Sequence, residues 1–146
     1  SQPRGFSSSG VYRSTKHWLL IARLLKGHNY PVAGKRISDE VGRAAIRDLA
    51  TEQVTAIRYL LQLLEKAHPG GTIELRVPPY GAVQLVGGLN HRRGTPPNVV
   101  EINPENFLEL ALGKVSWESL VASGQLIASG SRAAELRNLF PVPEVR

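Results

Sequence analysis

The residues best suited to chemistry lie in one short loop, where His91, Arg92 and Arg93 follow one another. The guanidinium group of arginine presents a planar fork of donors that matches a carboxylate or a phosphate. Pro96-Pro97 stiffens the backbone directly after these residues. The pattern predicts one of two structures. It is either a clamp for the anionic group of a ligand, or a turn in which Arg93 pairs with a nearby carboxylate or carbonyl.

Enzyme motifs are missing from the rest of the sequence. There is no cysteine for thiolate chemistry, no phosphate-binding or dinucleotide loop, and no Gly-x-Ser-x-Gly turn. The histidines are scattered, and none pairs at i, i+4 with a second metal ligand; they are His17, His28, His68 and His91. The sequence therefore predicts no catalytic residue, no metal site and no cofactor.

Strands are predicted on both sides of the loop. Apolar runs bounded by Gly, Pro and polar residues predict four of them: Thr72–Val77, Ala82–Val86, Val99–Ile102 and Gln125–Ser129. In the first strand, Ile73, Leu75 and Val77 alternate with Thr72, Glu74 and Arg76, which predicts one buried face and one wetter face. Leu89–Arg93 is a candidate fifth strand.

Helices are predicted before and after these strands. Glu52–Ala67 has the strongest helical spacing of apolar residues, and a helix from Ser14 to Lys26 precedes it. That first helix is apolar around most of its surface, so it needs cover from the domain, a partner subunit or a membrane. Serine or asparagine residues are predicted to cap the helices: Ser14, Ser38, Asn103, Ser116 and Ser131.

This order of elements predicts an α+β fold, because consecutive strands are followed by helices that pack to one side of a sheet. We expect a four- to five-stranded sheet covered by helices on one face. Residues 1–13 are predicted to be a basic flexible tail, and residues 14–146 a single domain. Within that domain, residues 14–50 form an N-terminal helical extension and residues 51–142 the core.

Three segments resemble the bacterial sterol carrier family, the bacterial orthologues of the sterol carrier superfamily: RVPPYGAVQ from Arg76, HRRGTPPNVVE from His91, and WESLVASGQLIASGSRA from Trp117. The resemblance covers residues 51–142, and Arg93–Glu101 is its most specific part. It implies a sterol-carrier-like sheet of about five strands, with helices over one face and an apolar tunnel between them.

The resemblance also suggests which side chains would line a ligand cavity. Apolar residues of the second strand and of the two following helices are the candidates: Val83, Leu85, Phe107, Leu110, Trp117, Leu120 and Val121. The spacing of Trp117, Leu120 and Val121 by itself favours an ordinary core, and the cavity wall is what the resemblance implies. Arg92 and Arg93 would then contact an anionic head group at the mouth of the cavity.

The net charge of +6 is concentrated at one end, because residues 1–36 hold seven Lys or Arg and no acid. This segment predicts weak contact with anionic membranes or nucleic acid. Nucleic-acid binding is the less favoured reading, since no aromatic residues interleave with the charges for base stacking. A membrane-spanning helix needs about 20 apolar residues, and the apolar runs here are shorter. The sequence also has no cysteine, which suits a reducing cytosol, so we expect a cytoplasmic protein.

These observations together predict a non-catalytic protein that binds or carries an apolar small molecule, such as a lipid, an acyl chain or a sterol-like compound. The alternative is a non-catalytic protein interaction module or an accessory domain of an enzyme. Dimerisation through the first helix is compatible with either function.

Overall fold

The computed structural model describes residues 36–88 and 97–145. Several predicted features lie outside the described residues. They are the tail of residues 1–13, the helix from Ser14 to Lys26, and the whole candidate strand Leu89–Arg93, which includes Arg92 and Arg93.

The described elements follow the predicted order. They are α1 (Asp39–Ile46), α2 (Leu49–Ala67), β1 (Pro69–Val77), β2 (Gly81–Leu85), β3 (Asn98–Ile102), α3 (Pro104–Ala111), α4 (Trp117–Ala122) and β4 (Leu126–Ser129), followed by the 3-10 helices Ala133–Leu139 and Pro143–Val145. Each of the four strands predicted within the described residues is present and begins within three residues of its predicted start.

The strands form one mixed sheet in the order β2-β1-β3-β4. β1 is antiparallel to β2 and parallel to β3, and β4 is antiparallel to β3. Leu75 at the centre of β1 lies opposite Val83 on one side and Val100 on the other, so these three side chains share a face. The prediction of an α+β fold with a four- to five-stranded sheet is confirmed, and four strands lie within residues 36–88 and 97–145.

The core lies on this apolar face of the sheet. Helix α2 packs against β1 and β2, and α4 packs against β4. From α2, Ile57, Leu60 and Leu64 are buried. Each fully buried side chain of this size contributes about 1.5–3 kcal/mol relative to an exposed one.

The opposite face of β1 differs from the prediction. Thr72 and Arg76 are buried, although the alternation predicted a wetter face. The physical reason is that β1 is a central strand: Arg76 stands between Ala82 of β2 and Glu101 of β3. Its Nη2 contacts Glu74 Oε1 at 3.1 Å, which compensates part of the cost of burying the charge.

The predicted helix caps are confirmed at three of the four described positions. Ser38 Oγ accepts from the backbone N–H of Val41, and Asn103 Oδ1 and Ser116 Oγ accept in the same way from the residues three positions later. The prediction for Ser131 is wrong. The helix that follows begins after Arg132, has no side-chain cap, and is the 3-10 helix Ala133–Leu139.

Helices α1 and α2 pack closely because Gly42 faces the ring of Tyr59. The Tyr59 hydroxyl donates to Asp39 Oδ1 at 2.8 Å, which fixes the start of α1 against α2. Ile37 and the side-chain amide of Gln62 exchange two hydrogen bonds of 2.9 and 2.7 Å. The chain before α1 is thereby attached to the middle of α2.

Tyr59 should make the stability of this helix pair depend on pH. Burial, and then the hydrogen bond to Asp39, raise the pKa of Tyr59 above its ordinary value of 10.0, against a smaller opposing effect of Arg43. Its contribution is therefore complete below about pH 10 and is lost as the pH rises through the folded-state pKa. The free energy of unfolding in urea should fall above pH 10, and more steeply than in Tyr59→Phe. Equal slopes in the two proteins would contradict this.

Candidate functional site

A half-enclosed cleft lies between the α3–α4 connection and the end of the first 3-10 helix. Its volume is about 430 Å³. The residues that line it come from two stretches of chain: Leu110, Gly113, Val115, Ser116, Trp117 and Glu118, and then Arg137, Asn138, Phe140 and Pro141. A volume of this size is within the range of about 300–1,000 Å³ that small-molecule sites occupy.

Local turns bring these two stretches together. Gly113 has a φ of +81°, a conformation that side chains disfavour, and it lets the chain turn directly after α3. Ser116 then caps α4 and fixes the position of Trp117 at its first turn. On the other side, the backbone N–H of Val142 donates to Ala111 O at 2.9 Å. The end of the 3-10 helix is thus attached to the end of α3.

Aromatic side chains form the inner wall of the cleft. Phe140 lies nearly parallel to Trp117, with ring centroids 6.5 Å apart and an interplanar angle of 27°. It also contacts Phe107 edge to face, with centroids 6.2 Å apart. Such pairs contribute about 0.5–1.5 kcal/mol beyond the area they bury. The wall is therefore held in place before any ligand arrives.

Polar groups line the rest of the cleft. Arg137 Nη1 lies 3.7 Å from Glu118 Oε2, a distance too long for a hydrogen bond. By contrast, Arg132 donates twice to Glu135, at 2.8 and 3.0 Å, and holds the pKa of that carboxyl below its ordinary value. The two ion pairs involve the same short helix, and only the Arg132 pair is closed by hydrogen bonds.

A second cleft of about 450 Å³ lies between the start of α2 and helix α3. Its apolar residues are Leu49, Leu108 and Leu112, and its acids are Glu105 and Glu109. It is more open than the first cleft, and no aromatic residue lines it. It is therefore the weaker candidate for holding an apolar molecule.

The structure separates the predicted cavity residues into three groups. Leu110 and Trp117 line the first cleft. Four others are fully packed in the core: Val83, Leu85, Phe107 and Leu120. Val121 is 45% exposed on α4. Arg92 and Arg93 lie outside the described residues. Contact of any of these side chains with a ligand stays a prediction.

The prediction from sequence did not assign Phe140 and Arg137 to a binding site. Nothing in the local pattern pairs Phe140 with Trp117, which lies far away in the sequence. The helix-stopping Pro141 was a usable signal, because it marks where the chain leaves that helix. The pairing itself depends on the tertiary fold.

Two further findings concern the described residues alone. Within residues 36–88 and 97–145, no group of three or more His, Cys, Asp or Glu is placed to hold a metal ion. Among the helices in those ranges, none combines the length and the apolar character that crossing a membrane requires.

Comparison with known proteins identifies the family. No curated protein matches the chain. The family model described as "Bacterial SCP ortholog" matches residues 49–142. This range contains all four strands together with α2, α3 and α4. The chain therefore belongs to the bacterial sterol carrier protein family.

Proposed function

We propose that this chain binds an apolar small molecule without transforming it, and that the apolar part of the ligand lies in the first cleft. The observation that carries the proposal is the pre-formed wall of Leu110, Trp117 and Phe140 in a half-enclosed space of about 430 Å³. Apolar walls with a few polar groups are typical of small-molecule sites. Membership in a sterol carrier family supports the same function.

The packing of the core argues for this position rather than for a tunnel under the sheet. Val83, Leu85, Phe107 and Leu120 were expected to line such a tunnel, and all of them are buried. A ligand that entered between them would have to displace close-packed side chains, and each displacement forfeits dispersion contacts. The first cleft offers aromatic surface without that cost.

The test is to fill the cleft from its exposed side. Asn138 lines the cleft and is itself exposed, so Asn138→Tyr would occupy the space without disturbing the core. Ala134 is exposed on the same 3-10 helix and does not line the cleft, which makes Ala134→Tyr the matched control.

A fluorescent fatty acid should bind the unmodified chain with a micromolar dissociation constant, about −8 kcal/mol. Asn138→Tyr should weaken this binding about 10-fold or more, which is about 1.4 kcal/mol, while Ala134→Tyr should leave it unchanged. Equal binding by both variants would place the ligand elsewhere. No saturable binding to acyl, sterol or phospholipid probes would contradict the proposed function itself.

A protein interaction module or an enzyme accessory domain is the second candidate. The filled core under the sheet favours it, together with exposed apolar side chains at Val41, Val54 and Val121.

We propose three further interactions of this chain. Arg92 and Arg93 contact the head group of the ligand, the chain dimerises, and residues 1–36 bind weakly to anionic membranes or nucleic acid. We also propose that the protein is located in the cytoplasm.

A further inference from the structure

We infer that the ligand of the first cleft has a zwitterionic head, in which a cationic and an anionic group stand close together on an apolar body. The inference rests on the proposed function, because it specifies the ligand class of the same cleft. Its basis is the charge arrangement at the rim, where the exposed side chains of Glu118 and Arg137 lie 3.7 Å apart and line the same cleft as Trp117 and Phe140.

The rim presents both signs of charge within a short distance. Glu118 belongs to the first turn of α4, and Arg137 to the last turn of the 3-10 helix. The two stretches of chain that form the cleft therefore each supply one charge. A head group with a single charge would pair with one of these residues and be repelled by the other. A zwitterion of matching separation would pair with both.

The ion pair at the rim is weak enough to be opened by a ligand. Its atoms are 3.7 Å apart, and the side chains of Arg137 and Glu118 are 56% and 69% exposed. Exposed pairs of this kind contribute little, because solvent screens them and both side chains lose freedom. Arg137 therefore keeps the fork of its guanidinium group available, whereas both donors of Arg132 that face Glu135 are engaged.

Neutral polar groups complete the rim. Asn138 brings an amide that can both donate and accept, and the hydroxyl of Ser116 already accepts from Ser119 N. A ligand with an apolar tail and two opposite charges on its head belongs to one of two chemical classes. One is an α-amino acid with a long apolar side chain, and the other is a phosphocholine-type amphiphile.

The experiment compares head groups on chains of eight carbon atoms. In the full chain carrying Trp18→Phe, Trp117 is the only tryptophan, so its fluorescence reports on the cleft. The probes are 2-aminooctanoate (zwitterion), octanoate (anion), octylammonium (cation) and octan-1-ol (neutral), with octylphosphocholine as the second zwitterion. 2-Aminooctanoate or octylphosphocholine should bind about 10-fold more tightly than octanoate or octylammonium. The tighter of the two zwitterions identifies the source.

Single substitutions at the rim should change this preference in opposite directions. Glu118→Gln should favour octanoate over octylammonium, and Arg137→Gln should favour octylammonium over octanoate. The matched controls are Glu135→Gln and Arg132→Gln, which remove the same charges from the closed pair away from the cleft and should leave the order unchanged.

The possible outcomes separate the two claims. If octanoate, octylammonium and the zwitterions bind alike and the rim variants change nothing, the head-group inference is overturned and the cleft remains the binding site. If none of the probes, octan-1-ol included, changes the fluorescence of Trp117, the proposed function fails and takes the inference with it.

Discussion

Arg76→Met should lower the free energy of unfolding by about 3–5 kcal/mol, which is the usual cost of removing one partner from a buried ion pair. The side chains of Arg76 and Glu74 are only 9% and 18% exposed, and Nη2 contacts Oε1 at 3.1 Å. Methionine keeps much of the volume and removes the charge. The carboxylate of Glu74 would then be buried without this partner. Equilibrium unfolding in guanidinium chloride measures the loss.

The matched control is the exposed pair of Arg132 and Glu135. These two side chains are bonded at shorter distances, yet they are 38% and 45% exposed. Arg132→Met should therefore cost far less than Arg76→Met, because solvent screens the exposed pair. If the two substitutions cost the same, burial would not be the source of the Arg76 effect. Adding Glu74→Gln to Arg76→Met should recover part of the loss, because the uncompensated charge disappears.

Gly42→Ala should destabilise the protein by about 1–3 kcal/mol, although alanine is the better helix former. A Cβ at this position would clash with three ring atoms of Tyr59. The ring is buried between α1 and α2 and bonded to Asp39, so it cannot move aside freely. Either the helices separate or the ring leaves its preferred position. Urea unfolding at neutral pH would show the loss.

The sign of the Gly42 effect is the informative quantity. Helix propensity alone predicts that Gly42→Ala stabilises α1 by about 1 kcal/mol. Ala44 is exposed on the same helix, two residues after Gly42. The control Ala44→Gly should therefore show only the propensity cost of glycine. Combining Gly42→Ala with Tyr59→Leu should cost less than the sum of the two single changes, because the smaller side chain leaves room for the new methyl group. Additive losses would contradict close packing as the cause.

The fold was largely predictable because its local signals agree with its tertiary structure. Ser38, Asn103 and Ser116 are capping residues that the helices use as predicted. Ile73, Leu75 and Val77 alternate as a half-buried strand should, and the prolines and glycines mark the strand ends. In each case the signal lies within a few residues of the structure that it specifies.

The failures arise where distant parts of the chain meet. Alternation showed that Thr72 and Arg76 share a face, but it carries no information about the strands on either side of β1. The close contact of Gly42 with the ring of Tyr59 joins two helices, and no local pattern around Gly42 specifies it. Ser131 is a good capping residue by type, yet the helix begins after Arg132, whose backbone N–H donates to the side chain of Asn98 at 2.9 Å.

The candidate site was less predictable than the fold. Leu110 and Trp117 were correctly placed on helices. The wall that they share with Phe140 exists only because the segment after β4 packs beside α3 and α4. The charge arrangement of Glu118 and Arg137 depends on the same packing. Patterns among neighbouring residues were enough to predict the helices. The cleft could not be predicted in this way, because it forms through contacts between segments that are distant in the sequence.

The most direct test of the central claim is an NMR titration of the full chain with an eight-carbon ligand, octanoate or 2-aminooctanoate. The proposal predicts saturable shifts of the Trp117 indole resonance and of backbone amides in residues 113–118 and 137–140, all with one dissociation constant. Resonances of Leu49, Leu108 and Leu112 in the second cleft should remain in place. Shifts confined to the second cleft, or no saturable shift at Trp117, would contradict binding in the cleft of Trp117 and Phe140.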